Sequence, residues 1–324
     1  MARTSLGRRV ASFALALAWT AVTHGSSAAQ APYRYSLHDY PGAGSTLFLG
    51  ENFSGEIVGF AWGFASPPTI SFSYRQHGDL FTPIATLPGY GEFDVWNVND
   101  RGTMVGGVYT TDYSSETAFT RDHDGNIALL PVPGWPNSEA QAINRQGIVA
   151  GLAYNADATQ YTGFMYDPAH QKFTFVMPSA YTLVHAVTSQ GELVGLSILD
   201  AGVAYANAPA GTYGWYRAVN GAITLFRVNG IDTYARALND DGLLGGFIED
   251  PVTGIDTGFS TSFTPSPAKP GSRHFVALSL GQKKLVSISG QADTYVEAIT
   301  SEGDLVGATI DNDGNIHGFI GKQE

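Results

Sequence analysis

No cysteine occurs among the 324 residues. That excludes a disulfide framework and a cysteine-linked lipid anchor. Basic residues are few, 17 Lys and Arg against 29 Asp and Glu. So acidic a chain repels polyanions, which argues against nucleic acid and anionic lipid as partners, although a local basic pocket could still take one acidic group. Long apolar stripes of helical period are missing after the first 29 residues, and so is a second apolar run long enough to span a bilayer. Nucleophile elbows, phosphate loops and metal-ligand spacings are missing too, so neither a metal nor a cofactor is expected.

What is present begins with a processing signal. "MARTSLGRRV" is basic, "ASFALALAWTAV" is a short apolar core, and "THGSSAAQA" ends in small residues. Cleavage is expected after Ala29, giving a signal peptide over 1–29 and a single domain over 32–324. Removal of Arg3, Arg8 and Arg9 leaves 14 basic and 29 acidic residues, a net charge of −15. The chain is therefore expected outside the cytoplasm, secreted or periplasmic, as a monomer without a membrane span. With no covalent staples its stability must come from packing, and about 295 residues can bury a large core.

Glycine is abundant, with 39 residues, and it is periodic. Six phrases recur: "ENFSGEIVG", "VNDRGTMVG", "INRQGIVAG", "VTSQGELVG", "LNDDGLLGG" and "ITSEGDLVG". Their anchor glycines are Gly55, Gly102, Gly147, Gly191, Gly242 and Gly303, at spacings of 47, 45, 44, 51 and 61. An aromatic follows each second glycine: Phe72, Phe119, Phe164, Trp215, Phe259 and Phe319. Each repeat holds four short runs rich in Val, Ile, Phe and Tyr, divided by Gly, Asn, Asp and Pro. Four strands in roughly 45 residues is the size of a propeller blade.

The ends sharpen this. The last repeat stops at "HGFIGKQE" without a fourth run, while "YRYSLHDYPG" near the start is a fourth run without a repeat. An all-β, six-bladed propeller, closed by its N-terminal strand completing the last blade, explains both and removes open strand edges. Three residues before the anchor glycine stand Asn52, Asn99, Asn144, Thr188, Asn239 and Thr300. A side-chain oxygen there can accept a backbone N–H across the turn. The anchor glycine supplies a positive φ, and the second glycine gives room for packing between sheets. The aromatic row reads as core between blades. "DHDGN" (Asp122–Asn126) and "DNDGN" (Asp311–Asn315) lack the distal glutamate of a calcium loop and read as hairpin turns.

The phrase resembles the HAF-repeat proteins, a bacterial extracellular family whose repeat joins "AxxINxxGxxVG" to a His-Ala-Phe step. The resemblance covers essentially the whole mature chain. At that step this sequence has "TAF" (Thr117–Phe119), "RHF" (Arg273–Phe275) and "HGF" (His317–Phe319). The resemblance implies a secreted repeat fold. It carries over no catalytic residue, because the family motif is itself structural.

Function is expected where the copies differ on a shared face. Six before each anchor glycine stand Leu49, Trp96, Gln141, His185, Arg236 and Glu297; eight before stand Leu47, Asp94, Glu139, Leu183, Tyr234 and Tyr295. The two-residue step predicts one face for both rows, with small residues such as Ala140, Ala142, Ala186, Ala235, Ala237 and Ala298 on the other. In a propeller the first strand of each blade borders the axis, so these rows meet in a funnel beneath the loops that join blades. Trp96, Gln141, His185, Arg236, Tyr295 and Glu297 are the candidate ligand-binding residues. The candidate catalytic residues are His185, Arg236, Glu297, Tyr234, Asp94 and Glu139.

Three functions stay open. The funnel could bind a small molecule or glycan. It could house a polysaccharide lyase, with Arg236 on a uronate and His185 or Tyr234 moving a proton, or a glycoside hydrolase using two of the acids. Or the chain could be a structural repeat. Replacing Arg236 and His185 together by alanine is expected to abolish retention or cleavage with thermal unfolding nearly unchanged. Of the two long excursions, "SILDAGVAYANAPAGTYGW" is expected to wall the funnel and "TPSPAKPGSRH" to be a surface loop. Whether the third strand of repeat five starts at Gly258 or at His274 stays open.

Overall fold

A computed structural model describes residues 33–63, 72–176, 181–199, 209–263, 269–280 and 285–323. The signal segment, the middle of the repeat-four excursion and the start of the repeat-five excursion lie outside these residues. Every regular element among them is a β-strand, and the strands form six sheets. Each sheet begins with one of the recurring phrases. In the third, for example, Asn137–Ile143, Val149–Tyr154, Tyr161–Asp167 and Lys172–Val176 run antiparallel from the axis outward. The protein is a six-bladed propeller.

Closure is by the N-terminal strand. Tyr33–His38 pairs antiparallel with Ile316–Gln323 as the outermost strand of blade six. Tyr35 meets Phe319 edge to face, ring centroids 5.9 Å apart. The Tyr33 hydroxyl donates to the Gly303 carbonyl at 3.3 Å, tying this strand to the anchor turn of the same blade.

The recurring turn is a small hydrogen-bonded unit. In blade three, Gly147 N–H donates to the Asn144 carbonyl at 3.0 Å, and Asn144 Oδ1 accepts the N–H groups of Gln146 and Ile148. All six anchor glycines have φ between +71° and +92°, where a Cβ is strained. Asparagine has a second task. Asn144 Nδ2 donates to the Thr188 carbonyl at 2.8 Å, in the next blade. Asn52, Asn99 and Asn239 make the same bridge, to Asn99, Asn144 and Thr300. Threonine keeps the turn bond, from Glu192 N–H to Thr188 Oγ1 and from Asp304 N–H to Thr300 Oγ1, but has no N–H to send across.

The second glycine works inside the blade rather than between sheets. A Cβ on Gly106 would overlap the Asp94 carbonyl oxygen of the strand it pairs with, and equivalent overlaps arise at Gly59, Gly151, Gly195, Gly246 and Gly307. Opposite each of these glycines on the third strand lies a fully buried aromatic: Tyr74, Phe119, Phe164, Trp215, Phe259 and Phe319. In blade one that residue is Tyr74, not Phe72. The sequence spacing of 13 had pointed two residues short.

Blade five settles the open register. Its third strand is Asp256–Ser262, where Gly258 and Phe259 face Phe247 and Gly246. The chain then crosses to blade four, where Arg273–Leu278 adds a fifth strand parallel to Ile223–Val228. Phe275 lies edge to face on Tyr213 there. It returns to give blade five its short fourth strand, Leu285–Val286. The end of this excursion, expected as surface loop, is therefore sheet. The DHDGN and DNDGN turns close hairpins: Asp122 and Asp311 each accept the backbone and side-chain N–H of Asn126 and Asn315.

Candidate functional site

The first strand of every blade carries a β-bulge at the same place. The register skips Leu49, Trp96, Gln141, His185, Arg236 and Glu297, the whole row six before the anchor glycine. A bulge places one unpaired extra residue in the strand and re-aims its side chain. Here it turns six divergent side chains to the axis, and all six line one small central space. The bulge also breaks the two-residue alternation. Ala142, Ala186, Ala237 and Ala298 consequently border the axial depression instead of facing away from it.

The row eight before the glycine goes elsewhere. Leu47, Leu183, Tyr234 and Tyr295 join Phe60, Leu152, Leu196 and Phe247 in an apolar plug across the axis. Tyr234 stacks on Phe247 with centroids 4.5 Å apart, and its hydroxyl donates to Glu249. The Tyr295 hydroxyl donates to Asp256 at 2.9 Å. Both rings are buried as core rather than presented as stacking platforms. The plug fills the channel on the side of the loops that join blades. The opening expected there lies at the other end. A depression of about 480 Å³ opens among the turns between first and second strands, where small residues leave room. The middle of the repeat-four excursion, residues 200–208, expected to wall the funnel, lies outside the described residues.

His185, Arg236 and Glu297 meet at the floor of this depression, although 51 and 61 residues separate them in turn. Arg236 Nη1 lies 3.2 Å from His185 Nδ1, and Arg236 Nε lies 3.7 Å from Glu297 Oε2. The guanidinium also stands 5.7 Å over the Phe247 ring. Burial, and then the Arg236 charge, hold His185 well below the ordinary imidazole range, so it is neutral. Burial raises Glu297 above the ordinary carboxyl range while Arg236 opposes the shift. The floor is therefore internally balanced. Arg236→Ala would leave Glu297 buried without its ion pair, so the stability of the expected double variant would not be unchanged.

Asp94 and Glu139 do not border the depression among the described residues. They lie near Glu116, which the sequence reading did not single out. The Tyr154 hydroxyl donates to Glu116 at 2.6 Å. Burial, then Glu139, push the Glu116 carboxyl well up, with Asp94 adding to the effect. A second missed residue is Glu51, at the wall of the depression. Burial pushes it up to about 7, against the pull of Lys322. Neither sits in a divergent row at the bulge, the signal that found the others. Phe53 stands at the mouth, 69% exposed, and its N–H donates to Asp100 in the next blade.

No protein-family model and no curated protein matches the chain. Among the solved structures similar in fold are two propellers. A catalytically inactive variant of virginiamycin B lyase from Staphylococcus aureus, solved with quinupristin, is 11% identical over 89% of this chain and 88% of its own, with a TM-score of 0.44. The β-propeller domain of the Trilobed protease from Pyrococcus furiosus, described as having an open velcro topology, is 8% identical over 86% of this chain and 84% of its own, with a TM-score of 0.47.

Proposed function

We propose that the protein is an exported ligand-binding propeller that holds an uncharged glycan in the axial depression. The observation that carries this is the depression itself: about 480 Å³, open at one end, with a charge-balanced polar floor and Phe53 exposed at its mouth. Exposed aromatic faces beside polar groups suit sugar rings. Arg236 is already matched by Glu297, and the walls hold Glu51, Asp100 and Asp240 against Arg145. A uronate would meet more negative charge than positive, which favours a neutral sugar. Export rests on the N-terminal signal and the HAF-like phrase.

The alternative is a glycoside hydrolase or polysaccharide lyase at the same place. It is favoured by two carboxyls with raised pKa, Glu51 and Glu297, on one cavity. One experiment tests both. A panel of neutral and acidic glycans is passed over the immobilised chain, and eluates are assayed for new reducing and unsaturated ends. Retention of neutral glycans without new ends supports binding. New ends that vanish in Glu51→Gln establish the enzyme. No retention of any glycan leaves a structural repeat.

A further inference from the structure

Beneath the floor, on the axis, lies a second space of about 20 Å³, lined by the six bulge residues and Asn97. A single water needs roughly 10–15 Å³, so the niche has room for one oxygen and little more. Besides Arg236 Nε, which is ion-paired with Glu297 Oε2 at 3.7 Å, three buried polar atoms of the lining residues have no hydrogen-bond partner within the chain: Trp96 Nε1, Gln141 Oε1 and Glu297 Oε1. Gln141 and Glu297 are themselves more than nine-tenths buried. The amide orientation of Gln141 is set from behind, because its Nε2 donates to Glu139 Oε1 at 3.4 Å. That leaves its oxygen as the unmatched end.

The three atoms define the chemistry. One is a donor and two are acceptors. An occupant must accept from the indole N–H and donate to an amide or carboxyl oxygen. A metal ion or ammonium would leave the Trp96 N–H unmatched and would stand beside the Arg236 guanidinium. A halide would face two oxygens. We propose that the niche is a site for one neutral O–H oxygen, and that it forms the innermost subsite of the depression. Water satisfies all three atoms. An alcohol hydroxyl satisfies the donor and one acceptor, with its carbon towards the shared lining of Asn97, His185, Arg236 and Glu297. Burying such groups unmatched is costlier than satisfying them, so occupancy is strongly favoured. The proposal rests on the glycan reading only for the side from which an alcohol would arrive.

The test is high-resolution diffraction from crystals of the full chain, grown alone and then soaked in methanol, sodium bromide or rubidium chloride. The expected result is one oxygen at about 2.7–3.2 Å from the three atoms, with no anomalous peak from bromide or rubidium. After methanol, a methyl carbon beside that oxygen assigns the site to alcohols, and a lone oxygen assigns it to water. An empty niche, or a bromide or rubidium peak in it, overturns the proposal. Trp96→Phe and Gln141→Leu, each apolar, should remove the oxygen; a variant that retains it at full occupancy also overturns the proposal. The glycan reading fails separately, through absence of retention on the panel while the niche oxygen is still seen.

Discussion

At the scale of the residue, asparagine is the instructive case. A turn needs only an acceptor, and threonine meets that need in blades four and six. The bridge to the next blade needs a donor on the same side chain, which is why the amide recurs in the other four. Asn144→Ala should therefore lose both functions and lower stability by about 1–3 kcal/mol, seen as a lower urea midpoint at unchanged slope. Thr188→Asn supplies the missing donor towards blade five. It should raise stability by about 0.5–1.5 kcal/mol, seen as a higher urea midpoint, and a lowered midpoint would contradict the bridge account. Phe53→Ala removes an exposed ring. It should reduce retention of a neutral glycan up to about tenfold, with an unchanged melting temperature, as loss of stacking worth ~0.5–1.5 kcal/mol implies.

At the scale of the element, the bulge and the second glycine are two halves of one device. The bulge drives a strand-one carbonyl towards its neighbour, and only a residue without Cβ tolerates it. Gly106→Ala would put a methyl against the Asp94 carbonyl, which is backbone and cannot swing aside. We expect a loss of about 3 kcal/mol or more, or failure to fold, whereas an alanine at Gly89, where a Cβ would meet nothing, should cost only the strain of its positive φ. The phrase was legible in the sequence as turn and glycine. The bulge was not, because it adds no residue type of its own. It became visible only when strand pairing skipped the same position six times.

At the scale of the whole molecule, two properties belong to the ring. The first is closure. Deleting residues 33–38 removes the outer strand of blade six and opens an edge along Ile316–Gln323. The truncated chain should melt well below the intact one and aggregate, while an equally long deletion from the signal segment should leave melting unchanged. The second is pH. Burial pushes Asp256 up to about 8 and Glu51 up to about 7, and Glu116 is raised as well. An acid whose folded pKa exceeds its unfolded value stabilises fully below the unfolded pKa, near 4, and loses that contribution as pH rises through the folded one. His185 works oppositely, since its lowered pKa removes stability as pH falls below about 6.5. Melting temperature should thus decline from pH 6.5 to 9, and Asp256→Asn should flatten that decline. A flat wild-type profile over this window would contradict the burial of these carboxyls in neutral form.

The sequence by itself determined the number of blades and the strand that closes the ring, and it offered two rows of side chains for the axis, of which the bulge turns one into the central space. These follow from local chemistry repeated six times: a glycine that needs positive φ, an asparagine that caps a turn, an aromatic that fills a gap. Repetition makes such signals additive along the chain. Tertiary structure alone decided which end of the channel stays open, because that depends on volumes summed across six blades. Leu, Tyr and Phe side chains from different repeats fill one end, and alanines leave the other clear. It also decided that Arg273–Leu278 belongs to blade four, since a parallel edge partner is a neighbour in space and not in sequence. And it decided the charge of the site: His185 and Glu297 have ordinary acid–base chemistry as isolated residues, and only burial around Arg236 makes one neutral and raises the other.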